Sequence, residues 1–71
     1  MTNQELEHLI QMANQIAANF SFHADQADRT ADHIQRFWAP SMRKLLAAHI
    51  RDGGEGLDNS VLEAMKAVET A

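Results

Sequence analysis

The side chains able to do chemistry in this 71-residue chain are few, and their spacing groups them poorly. There is no cysteine, which removes thiolate nucleophiles, disulfides and thiolate metal sites. The histidines are His8, His23, His33 and His49, and none stands four residues from another, so no helical pair of ligands exists. Glu5 and His8 match one Glu-x-x-His fragment of carboxylate-bridged di-metal bundles, which need two such motifs and two further glutamates. A single copy is better explained by chance. No serine, histidine and acid are brought together by helical spacing, so nothing resembles a nucleophile with its base. Gly53, Gly54 and Gly56 cluster in GGEGL, but the lysine, the preceding strand and the spacing of a phosphate-binding loop are missing. These glycines mark a connecting loop.

What remains is a cationic, aromatic stretch, His33 to Ile50, which reads HIQRFWAPSMRKLLAAHI. It holds Arg36, Arg43 and Lys44, with Arg51 just past its end, and no Asp or Glu falls between His33 and Arg51. It also holds the only tryptophan, Trp38, and the only proline, Pro40. Such a stretch suits recognition rather than catalysis. Aromatic and arginine side chains are the residue types that dominate interface energies. The competing reading is that Trp38 plugs the core of a very small protein. The surface expected to bind a partner comprises Arg36, Phe37, Trp38, Pro40, Met42 and Arg43, with Phe37 the more exposed aromatic.

The elements that must position these residues are helical. Thr2 followed by Glu5 is a capping box, and Leu6, Leu9, Ile10, Ala13, Ile16, Ala17 and Phe20 follow at i, i+3, i+4 spacing. Asn14 and Gln15 flank that stripe, where their amides face solvent or a partner. Asp25 is placed to cap a second helix whose stripe is Ala24, Ala27, Ala31, Ile34 and Trp38. Its small first half suits a close approach to the first helix. Ala39 precedes proline and is biased away from helical geometry, while Pro40 fits the first turn of a new helix. Met42, Leu45, Leu46, His49 and Ile50 form the third stripe, with Gly53 as a left-handed cap. Asp58 caps the last helix, with Leu57 and Leu62 as a hydrophobic staple and Val61, Leu62, Met65 and Val68 on its apolar face. The spacing therefore predicts an all-α fold, a small bundle of four short helices near 3–20, 25–38, 40–52 and 58–69. The proline marks a sharp helix–helix corner, and residues 1–71 form one helical domain. The expected core joins Leu9, Ile16, Phe20, Ile34, Leu45, Leu46 and Leu62.

Charge narrows the function classes. The net charge of −4 divides into −4 over residues 1–32, +4 over 33–51 and −4 over 52–71. A cationic middle between anionic ends suits docking on an acidic protein surface, or closure of the ends over the middle. A helix–corner–helix with Arg43, Lys44 and Arg51 superficially matches a helix-turn-helix. The overall acidity and the proline in place of a glycine turn argue against nucleic acid. No stretch approaches the roughly 18 apolar residues of a membrane span, and MTNQELEHLI has neither a basic start nor a signal-like apolar run. No membrane partner is expected, and the expected location is cytoplasmic. A domain this short buries little surface and commonly leans on a partner or on its own copies.

Three blocks in order, MANQIAANF at Met12 to Phe20, HIQRFWAPSMR at His33 to Arg43 and GGEGL at Gly53 to Leu57, resemble a known family. The chain is similar to the delta subunit of the soluble, NAD-dependent, molybdenum-containing formate dehydrogenases. The block Arg36, Phe37, Trp38, Pro40, Met42, Arg43 is the most specific. Departures are confined to His23–Asp32 and the C-terminal tail. The resemblance implies a small subunit without a cofactor or active site of its own. In that family the alpha subunit carries the bis-pterin molybdenum centre and iron–sulfur clusters, and beta and gamma pass electrons through clusters and flavin to NAD. The delta subunit is associated with the alpha subunit and with assembly or maturation. The competing expectation is a free-standing helical adaptor or small regulator that binds another protein or its own copies as a homo-oligomer.

Overall fold

A computed structural model describes residues 4–68 of the chain. Among them are four helices and no strand: α1 (Gln4–Asn19), α2 (Gln26–Phe37), α3 (Pro40–Arg51) and α4 (Asn59–Met65). The first three match the sequence expectation within a residue or two at each end. The fourth stops well short of the expected residue 69, which lies outside the described residues, as do Thr2 and its half of the capping box. Past Met65 the chain turns through Lys66 and Ala67, and Val68 still packs into the core.

The core is built of smaller side chains than the apolar stripes suggest. Leu9, Ala13 and Ala17 of α1 meet Thr30, Ala31 and Ile34 of α2, Leu46 of α3, and Val61, Ala64 and Met65 of α4. Leu9, Ile34 and Leu46 occupy it as expected. Ile16, Phe20, Leu45 and Leu62 do not; each is half-buried at its margin. The reason is the alanines. With Ala13, Ala17, Ala31 and Ala64 at the contact positions, helix axes approach closely and leave room at the centre for few large side chains. α1 meets all three other helices; α2 packs chiefly against α4 and then α1, whereas α3 lies against α1. Thr30 is fully buried yet satisfied, because its hydroxyl donates to the Gln26 carbonyl one turn back at 2.8 Å.

The helix starts are closed by devices that differ from those predicted, while the end of α3 is closed as predicted. Neither Asp25 nor Asp58 makes a side-chain cap. The Asp25 carboxylate instead accepts from Arg29 Nε at 2.8 Å, and that hydrogen bond holds its pKa below the ordinary value. Gln26 Nε2 donates to the Ala17 carbonyl at 2.7 Å, beside the Phe20 N–H that donates to the same oxygen at 3.1 Å, and so ties the start of α2 to the end of α1. At the end of α3 the expected glycine cap forms: Gly53 N–H donates to the Ile50 carbonyl and Gly54 N–H to the His49 carbonyl, both at 3.0 Å, with positive φ at both glycines.

Candidate functional site

The corner between α2 and α3 is formed by two extended residues, Trp38 (φ −87°, ψ 140°) and Ala39 (φ −65°, ψ 151°). Ala39 takes the geometry that the following proline imposes, and Pro40 opens α3 at its first position. The joint separates the two aromatics sharply. Trp38 is 4% exposed and belongs to the core, while Phe37 beside it is 71% exposed. Phe37 rests against the His33 ring one turn earlier, at a centroid distance of 4.8 Å. Trp38 thus roots the corner, and Phe37, Ala39, Pro40 and Ser41 form its exposed tip, with Met42 half-buried behind it.

The two arginines of the predicted surface do different things. Arg36 is exposed and pairs with Asp32 along α2 at 3.0 Å, a solvated i, i+4 contact that contributes little to stability and exchanges readily for another carboxylate. Arg43 is half-buried and reaches back across the joint. Its Nη1 donates to the Trp38 carbonyl at 2.6 Å and, at 3.4 Å, to the Gln35 carbonyl. The Gln35 carbonyl belongs to the last turn of α2, whose carbonyls have no intrahelical donor, and the Trp38 carbonyl lies just past it in the extended corner. Arg43 therefore caps α2 from α3, a charge-assisted closure of the corner. Arg43, expected on the partner-binding surface, is engaged in this structure with the protein's own backbone.

Sequence reasoning also left Asn14 as a solvated or partner-facing amide. The structure uses it internally. Asn14 Nδ2 donates to the Gly56 carbonyl at 2.9 Å, and its Oδ1 accepts from the Asp58 N–H at 3.0 Å. One amide thereby clips the α4 end of the loop between α3 and α4 to α1. His49 Nε2 lies 2.7 Å from the Glu55 carbonyl and ties the same loop to α3. The available signal was a mid-helix asparagine, whose poor propensity asks for a compensating role.

Among the described residues, no three or more His, Asp or Glu side chains gather as a metal site, and no helix is long and apolar enough to cross a membrane. No buried side-chain polar atom among them lacks a hydrogen bond.

A family model described as NADH-dependent formate dehydrogenase delta subunit FdsD matches residues 8–65. The chain belongs to that delta-subunit family. The matched span runs from the first turns of α1 to the last residue of α4, so it covers the corner, Asn14 and the loop that Asn14 holds. No curated protein and no solved structure matches the chain.

Proposed function

We propose that this delta-family chain is a non-catalytic subunit that binds the catalytic alpha subunit of an NADH-dependent formate dehydrogenase and supports its assembly or maturation. Membership of the delta-subunit family carries the reading. The corner supplies a surface of the right kind: Phe37 is exposed beside Arg36 and Pro40, on a joint held rigid by buried Trp38 and by the Arg43 cap. A rigid apolar anchor flanked by a cation with a weak internal partner is the composition of an interface hot spot. In this reading Arg36, Phe37 and Pro40 touch the partner, Met42 lines the edge, and Trp38 and Arg43 hold them in place.

Affinity purification of the tagged chain from its native cell tests the proposal. Recovery with a large molybdenum-containing protein is expected. Recovery alone, or only with unrelated proteins, replaces it with a free-standing adaptor. Arg36→Ala combined with Phe37→Ala then tests the surface: folding is retained and alpha-subunit binding falls. Unchanged binding leaves the corner as a structural joint only.

A further inference from the structure

α3 meets α1 along its length but barely touches α4, and an open trough of about 810 Å³ runs between α3 and α4. Ala47 and Ile50 line one wall, and Leu62, Met65 and Val68 the other. Ala47 with Ile50 and Leu62 with Met65 are i, i+3 pairs on their helices, the form that receives the apolar face of a helix, and Val68 extends the second wall just past the end of α4. The most deeply buried lining residues, Met65 and Val68, are apolar, so no buried polar group is present to orient a small ligand.

Charge on the rim decides what fits. On the α4 side Glu63 and Lys66 neutralise each other at 3.2 Å. On the α3 side Arg51 lines the trough and is exposed, and Lys44, also exposed, stands two turns earlier on the same row, about 10.5 Å away along the axis. Neither forms an ion pair among the described residues, and α3 contains no acidic residue to offset them. We propose that this trough seats about two turns of an amphipathic helix from a partner protein, with apolar anchors at i, i+3 or i+4, and i+7 and acidic residues along the flank facing Lys44 and Arg51. Which protein supplies that helix rests on the alpha-subunit reading above; the chemistry of the trough does not. A second copy fits poorly. The exposed large apolar residues among those described, Phe22 in the turn between α1 and α2 and Phe37 at the end of α2, make no helical row.

The probe is a synthetic amphipathic helix of about four turns with leucine anchors and a glutamate flank, compared with the same peptide carrying lysine there, titrated against the full chain by fluorescence anisotropy. The glutamate peptide is expected to bind roughly tenfold or more tighter than the lysine peptide. Lys44→Glu with Arg51→Glu should invert that order, and Lys44→Gln with Arg51→Gln should abolish the difference. Circular dichroism checks that both variants keep wild-type helical content; if the reversal perturbs folding, the neutral pair decides. Ala47→Phe, which fills the trough, should weaken both peptides. Equal binding of the two peptides to wild type, or no binding of either, overturns the proposal. So does self-association by light scattering that the charge reversal abolishes, because the occupant would then be a second copy. The same variants against the isolated alpha subunit separate the two readings. Loss of binding in Lys44→Glu with Arg51→Glu places the alpha subunit's helix in the trough. Binding untouched by that pair but lost in Arg36→Ala with Phe37→Ala overturns the trough as the alpha-subunit site and leaves the corner. A wild-type chain that ignores the alpha subunit overturns the docking reading, while the peptide result still decides the trough.

Discussion

The corner at Pro40 and the glycine loop before α4 solve the same problem, turning the chain between two helices, by opposite means. The corner is closed locally. Its hydrogen bonds from Arg43 span only five and eight residues, and its dihedrals follow from a proline and the residue before it. The loop starts with a local glycine cap, but its far end is tied down from a distance. Asn14 holds it across 42 and 44 residues of sequence, and Gly54 is buried so tightly that a Cβ there would stand 2.9 Å from Leu62 Cδ2. A locally closed joint keeps its shape when distant contacts change. A remotely closed loop reports on whether α1 is in place. The corner therefore suits a fixed docking feature, whereas the loop couples the first helix to the last.

Breaking the root of the corner gives the largest effect. Trp38→Ala removes a buried indole from the core and should cost about 3–5 kcal/mol, comparable to the stability of so small a domain. Chemical denaturation followed by circular dichroism should show a large loss of midpoint or an unfolded chain. A change below about 1 kcal/mol would mean the corner does not depend on the core.

The loop side breaks at Asn14. Asn14→Ala removes both hydrogen bonds to the loop and should destabilise by about 1–3 kcal/mol. Hydrogen exchange sharpens the comparison: protection should fall at the Asp58 amide and in α4, while the Met42 and Arg43 amides, which bond to Ala39, keep theirs after correction for global stability. Equal loss in both regions would erase the distinction between local and remote closure.

The smallest effect is expected at Arg43. Arg43→Ala should cost about 1 kcal/mol through the lost cap and loosen the end of α2, seen as faster exchange at the Trp38 amide, which bonds to Ile34. Arg43→Lys should recover only part, because the lysine side chain is one atom shorter and its ammonium is more strongly hydrated than the guanidinium that reaches both carbonyls through Nη1. An unchanged Trp38 amide in Arg43→Ala would show that the proline alone holds the corner.

Much of this was legible in the residues because it is local. The apolar spacing gave four helices, the Ala39–Pro40 step gave the corner, and Gly53 gave the end of α3, since backbone sterics and helical period act over a few neighbours. The Arg36 to Arg43 block with the flanking motifs gave the family. Burial depth was not legible, because it depends on how closely helix axes approach. Four alanines drew the helices together, moved Ile16, Phe20, Leu45 and Leu62 to the margin, and left Ala13, Ala17, Thr30 and Val61 at the centre. The roles of Asn14 and Arg43 were hidden for the same reason. An amide or guanidinium has equally good partners in water, and only the folded arrangement puts a carbonyl within 3 Å of it. Sequence thus set the elements and their joints, and tertiary packing chose which polar side chains close the fold and which are left to meet a partner.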